Sequence, residues 1–132
     1  MDTSSRISPE QYQRLEVLAG SACRRLLSAG LPARVETEYK IIPGVKIGID
    51  NGNDSAGGVY AEWSPGSDTD QAAMEAVKQG RFTDRAIKDS GAICGAMQTA
   101  IFTILSVAGF AVELADTEIA PYGVKVVGER AE

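Results

Sequence analysis

Residues 48–63 read GIDNGNDSAGGVYAEW, a polar, glycine-rich segment with apolar alternation on either side. Apolar residues occupy every second position of both flanks: Val45, Ile47, Ile49, Val59, Ala61 and Trp63. This period of two predicts a pair of half-buried strands, and Asn, Asp, Gly and Ser between them predict a hairpin loop. A Ca²⁺ loop built on Asp50, Asn53 and Asp54 is the alternative. Its spacing does not match an EF-hand, and no Glu follows at the twelfth position.

Upstream, residues 34–41 alternate in the same way, with Val35, Thr37, Tyr39 and Ile41 on one side. Pro43 and Gly44 then form a turn signal. Together the three segments predict an antiparallel meander with one face on the core and one face in water.

The N-terminal segment has the signals of an amphipathic helix. Ser8 is the expected N-cap, Pro9 the first helical residue and Gln11 the partner in a capping box. A helical stripe of apolar residues follows: Tyr12, Leu15, Leu18, Ala19, Ala22, Leu26 and Ala29. Gly30 and Pro32 predict where this helix ends.

Two further helical segments are expected after residue 64. Ser67 begins a short one that Gly80 ends, and Thr83 begins a longer one that Gly109 ends. Ser90 and Gly91 leave open whether the longer segment is one helix or two. No charged residue lies between Asp89 and Glu113, which favours a central core helix over a membrane span because Gln, Thr and Ser interrupt the run.

The C-terminal part predicts two short strands, at residues 110–114 and 123–127, that extend the sheet. The expected fold is therefore a single α+β domain over residues 1–132, in the order α-β-β-β-α-α-β-β. An antiparallel sheet of about five strands packs on the N-terminal helix and the long apolar helix. Residues 1–6 and 129–132 are expected to be flexible.

Composition narrows the function classes. The chain is 44% hydrophobic, 23% charged and carries a net charge of −5, which disfavours nucleic-acid binding. It contains no His, and no nucleophile, phosphate-loop or dinucleotide motif is present, so a non-enzymatic role without metal or cofactor is expected. Cys23 and Cys94 are interpreted as small buried hydrophobes, and the N-terminus lacks a signal-peptide core, which predicts a cytoplasmic protein.

The alternation places several acidic residues and a tyrosine on the open face of the sheet or at its loop. The candidate partner-binding residues are Glu36, Glu38, Asp50, Asp54, Tyr60 and Glu62. One interpretation is a solvated face with cross-strand ion pairs. The other is a binding surface for a basic partner. Glycosidase-like acid/base work by paired carboxylates is a third and weaker interpretation, because it needs a cleft of fixed width.

Two functions from different classes remain. The favoured one is an acidic cytoplasmic protein-binding domain, such as an immunity protein or a chaperone that masks a cognate basic protein. The alternative is a small-molecule-binding or enzyme subunit with a pocket between sheet and long helix, lined by Tyr39, Gln98 or Thr99. Small residues also recur every four positions on the long helix, which indicates either close internal packing or a homodimer seam. These residues are Gly91, Gly95, Thr99 and Thr103.

Overall fold

The computed structural model describes residues 6–36, 42–52, 57–64, 74–81, 85–115 and 122–130. Its main elements are α1 (Pro9–Ser28), β1 (Ala33–Val35), β2 (Gly44–Asp50), β3 (Gly58–Ser64), α2 (Arg85–Val107), β4 (Phe110–Ala115) and β5 (Gly123–Glu129). Residues 74–78 are also helical. The five strands form one sheet in the order β1-β2-β3-β5-β4. The predicted α+β class is thus confirmed.

Helix α1 begins as the sequence predicts. Ser8 Oγ accepts a hydrogen bond from the Gln11 amide at 3.2 Å, and Gln11 Oε1 accepts one from the Ser8 amide at 2.9 Å. Pro9 is the first helical residue, where its missing N–H costs nothing. Ala29 caps the C-terminal end, and Gly30 follows with a positive φ of 96°.

The β2–β3 hairpin around the polar loop is also confirmed. The two strands pair antiparallel along their whole length, from Gly44 opposite Ser64 to Asp50 opposite Gly58. The loop tip at residues 53–56 lies outside the described residues. Before the tip, the Ile7 amide donates to the Asn51 carbonyl at 3.0 Å, which ties the start of the chain to the hairpin.

The predicted antiparallel pairing of the first two strands is wrong. β1 runs parallel to β2, with Ala33 beside Val45 and Val35 beside Ile47. The Val45 amide donates to the Pro32 carbonyl at 2.7 Å, so β2 begins beside the start of β1 and not beside its end. Gly44 makes this close approach with a φ of 128°. Residues 37–41, which were predicted to continue the first strand, lie outside the described residues.

Both helices cover the same face of the sheet. The core joins small and branched side chains of α1 and α2 to the apolar side of β2, β3 and β5: Ala19, Ala22, Leu26, Val45, Ile47, Val59, Ala61, Ile101, Leu105, Val124 and Val126. Each of these side chains is at most 1% exposed. Trp63 is half-buried at the margin of this cluster, as its place in the alternation predicts. Helices α1 and α2 therefore form one layer that packs on one face of the sheet.

Helix α2 is a single helix that continues through Ser90 and Gly91. It runs beside α1 and buries Ile101 and Leu105 completely. Among the described helices, none has both the length and the apolar character that crossing a membrane requires.

Candidate functional site

The side of the sheet that faces away from α1 and α2 carries three of the six predicted site residues, Glu36, Tyr60 and Glu62. We call it the outer face, and it is made by Arg34, Glu36, Lys46, Tyr60, Glu62, Glu113 and Lys125. Strand pleating puts these side chains opposite the core residues that alternate with them. Because β1, β2, β3, β5 and β4 lie side by side, residues distant in the chain become neighbours here. The sheet thus confirms that Glu36, Tyr60 and Glu62 share one face.

Lys46 lies at the centre of a small ion network on the outer face. Its Nζ is 3.0 Å from Glu62 Oε1 on β3 and 3.9 Å from Glu36 Oε2 at the end of β1. Lys46 and Glu62 are directly opposite in the β2–β3 register, and Arg34 lies beside Lys46 on the other side. The face is therefore not simply acidic, because cations alternate with the carboxylates.

Tyr60 and Lys125 form the second group of the outer face. They are directly opposite in the β3–β5 register, and Lys125 Nζ lies 5.8 Å from the centroid of the Tyr60 ring. This separation is within the range of a cation–π contact. Lys125 was missed by sequence reasoning, because alternation around residues 124–126 shows a strand but not that this strand lies next to β3.

Glu36 is the most buried carboxylate of this network. Its side chain is 18% exposed, and within the described part of the chain its Oε1 is buried without a hydrogen-bond partner. A buried acceptor left unpaired costs free energy, of the order of 1–3 kcal/mol and more for a charged group. The Glu36 amide donates to the Ile47 carbonyl at 2.8 Å, so the backbone holds this carboxylate in place beside β2.

The other predicted site residues are less informative. Asp50 ends β2, and its Oδ1 accepts a hydrogen bond from the Gly52 amide at 2.8 Å, which shapes the start of the loop. Glu38, Asn53 and Asp54 lie outside the described residues. In the described ranges, no three His, Cys, Asp or Glu side chains come together in a way that could hold a metal ion.

The residues proposed for a pocket under α2 are engaged in internal bonds. Gln98 is buried, and its Nε2 donates to the Gly123 carbonyl at 3.0 Å. Thr99 is exposed, and its hydroxyl donates to the Gly95 carbonyl one turn earlier. Tyr39 lies outside the described residues. Neither Gln98 nor Thr99 thus contributes an observation that favours a ligand pocket.

The stripe of small residues on α2 is partly covered from within the chain. A side chain added at Gly91 would meet the Tyr122 hydroxyl at 3.4 Å, and one added at Gly95 would meet the Tyr122 ring at 3.9 Å. Tyr122 therefore lies along this part of the helix. Thr99 and Thr103 are exposed. Internal packing explains the two glycines, and the homodimer seam remains a prediction.

Neither Cys23 nor Cys94 forms a disulfide, and the two differ in exposure. Cys23 is buried in α1, whereas Cys94 on α2 is half-buried. Burial raises the pKa of the Cys23 thiol above 9.0, against smaller lowering influences from Arg24 and from a hydrogen bond with the Val35 backbone. Burial therefore disfavours the reactive thiolate, which agrees with a packing role.

A cleft of about 560 Å³ opens between α1 and the adjoining ends of α2, β4 and β5. Ser21 Oγ donates to Glu129 Oε1 across it at 3.2 Å. The Arg130 guanidinium donates to the Ser106 carbonyl, and the Arg130 amide donates to the Gly109 carbonyl at 2.7 Å. These bonds satisfy carbonyls at the C-terminal end of α2, where a cation is favourable. The polar groups of the cleft thus have a structural role.

No protein-family model, curated protein or solved structure matches this chain. Likeness to known proteins therefore names neither a family nor a function. The arrangement of the outer face is the basis for inferring what the protein does.

Proposed function

We propose that this protein is a non-enzymatic, cytoplasmic protein-binding domain, of the kind that masks a cognate protein as an immunity protein or chaperone does. The observation that carries the proposal is the buried, unpaired Oε1 of Glu36 on the outer face. The sheet holds this carboxylate with 18% of its side chain exposed, and a rotation of the carboxyl group would bring the unpaired oxygen to a donor from a partner.

The shape and composition of the outer face support a protein partner over a small ligand. Its side chains project from adjacent strands of the sheet, on the side opposite α1 and α2. A broad surface with an aromatic residue and charged neighbours has the composition of protein interfaces. Tyr60, with Lys125 over its ring, is the natural aromatic anchor.

The charge pattern indicates the chemistry of the contact. Glu36 and Glu62 flank the single ammonium of Lys46. A guanidinium or ammonium group from the partner would add the missing donor to Glu36. Charge-assisted hydrogen bonds of this type are about twice as strong as neutral ones. The cognate protein is therefore expected to be basic at the point of contact, in agreement with the net charge of −5.

The test uses the tagged full chain to capture its partner from the native cell extract. The chain is used unmodified and as two variants. Glu36→Gln removes the charge of the acceptor on the outer face. Glu16→Gln removes one charge from an exposed position on α1 and is the matched control. The captured protein is identified by mass spectrometry, and its affinity for each form is then measured by calorimetry.

We expect Glu36→Gln to weaken binding roughly tenfold or more, since bonds to charged groups contribute about 1.5–3 kcal/mol. Glu16→Gln is expected to bind like the unmodified chain. Equal affinity of all three forms would remove the outer face from the interface. Failure to capture any stoichiometric partner would overturn the masking function itself.

A further inference from the structure

Strand β4 is an edge of the sheet in the described part of the chain, and it carries one charge, Glu113, and a bulge in its pairing with β5 at Ala111 and Val112. It pairs with β5 on one side, and in the described residues no strand follows it on the other. Natural edge strands are usually kept from pairing by Lys, Pro or a covering element. β4 reads FAVELA, and Glu113 is its only charged residue.

An apolar side chain at this edge is left uncovered on the helix side of the sheet. Leu114 is directly opposite Val124, so both side chains lie on the face that α1 and α2 cover. Val124 is fully buried, whereas Leu114 is 58% exposed. The helices cover Phe110 and, in part, Val112, but they leave Leu114 exposed near the end of β4.

We propose that two copies of this chain pair through β4, antiparallel and related by a two-fold axis at Val112. In this register Val112 faces Val112 of the second copy, and Ala111 faces Glu113 of the second copy. Residues that share a sheet face then pair with each other, as strand pleating requires. Such an interface is self-complementary, which a two-fold dimer needs.

Charge selects this register over the neighbouring one. An axis at Glu113 would give the same overlap but would put two carboxylates opposite each other, which is destabilising. The axis at Val112 separates them and places Leu114 next to Phe110 of the second copy. The exposed leucine is thereby brought against the second copy, although Phe110 itself is buried in its own core, and the sheet continues across both copies. β4 lies at the far edge from Glu36 and Lys46, so the pairing can be tested separately from the proposed function although Glu113 also belongs to the outer face.

The test compares two substitutions at one position. Ala111→Lys places an ammonium opposite Glu113 of the second copy, whereas Ala111→Glu places a carboxylate there. By symmetry each change acts twice in a dimer. We expect the two dissociation constants to differ by roughly tenfold or more, with the lysine form tighter. Sedimentation equilibrium over a range of concentrations measures them directly.

Thr99→Glu is the control, because it adds the same charge to an exposed position on α2. It is expected to leave the dimer unchanged. A chain that is monomeric at every concentration would overturn the proposal. So would a dimer that responds equally to Ala111→Lys and Ala111→Glu, or one that dissociates only with Thr99→Glu, which would place the seam on α2. Glu36→Gln should not alter the dimer, so this proposal and the masking function can fail separately.

Discussion

The two faces of the sheet are made by the same strands, yet their side chains interact in different ways. On the helix-covered face, Ile47 and Val59 are fully buried with Leu105 of α2. On the outer face, Lys46 and Glu62 are each about 27% exposed and interact mainly through charge. Burial stabilises strongly and without direction, whereas partly exposed ion pairs contribute little. The covered face therefore contributes most of the stability, and the outer face is the surface for which we propose a role in recognition.

The largest expected effect lies on the covered face. Leu105→Ala removes a fully buried side chain and is expected to lower the free energy of unfolding by about 3 kcal/mol. Val107→Ala, on the same helix but 81% exposed, is the control and should change it by less than about 0.5 kcal/mol. Urea unfolding followed by circular dichroism measures both. Similar losses for the two variants would show that α2 is not packed as described.

A substitution at Gly44, where β2 begins beside β1, is expected to give the next largest loss of stability. A side chain at Gly44 would come within 2.8 Å of the Pro32 carbonyl oxygen, at a φ of 128°. Gly44→Ala is therefore expected to destabilise the fold by about 2 kcal/mol. Gly48→Ala, in the same strand with open space around it, should be nearly neutral. Thermal unfolding distinguishes them, and equal midpoints would contradict the close approach of β1 and β2.

The buried amide of Gln98 tests how much one hydrogen bond on the covered side contributes to stability. Gln98→Leu keeps the volume but leaves the Gly123 carbonyl without its donor. We expect a loss of about 1–2 kcal/mol in unfolding free energy, because a buried acceptor remains unpaired. The neighbouring Thr99→Val, at an exposed position, serves as control. An unchanged stability for Gln98→Leu would show that this bond contributes nothing.

Ion pairs on the outer face are expected to contribute much less to the free energy of unfolding. A double-mutant cycle with Lys46→Met and Glu62→Gln should give a coupling of about 0.5 kcal/mol, given the 3.0 Å contact and partial exposure. The coupling should fall further in 1 M salt, where charges are screened within about 3 Å. A coupling as large as the Leu105→Ala loss would remove the distinction between the two faces.

The smallest effect is a pH dependence from Cys23 on the covered side. Because burial raises the pKa of the folded thiol above 9.0, the unfolded chain loses this proton first. The contribution to stability is complete below pH 9.0 and declines as the pH rises from there through the raised pKa. Cys23→Ala should abolish this decline, as seen in the difference between the two stability profiles. Parallel profiles would place Cys23 in a more exposed position.

Local signals in the sequence were sufficient for the elements themselves. The capping box at Ser8 and Gln11, the β2–β3 hairpin and the α+β class all follow from patterns within a few residues. The grouping of Glu36, Tyr60 and Glu62 on one face also follows, because pleating is local. Lys125 could not be assigned to the site, since its neighbour Tyr60 belongs to a strand that is distant in the chain.

Local patterns along the chain thus predict most of the helices and strands and which side chains of a strand point together. The parallel direction of β1 and β2, the position of β5 between β3 and β4, and the place of Tyr122 along the glycines of α2 become visible in the folded chain alone. The reason is physical. Hydrophobic period and turn residues specify conformation along the chain, but strand direction and order depend on contacts between distant segments. The buried position of Glu36 Oε1 and the place of β4 at the end of the described strand order are products of those distant contacts.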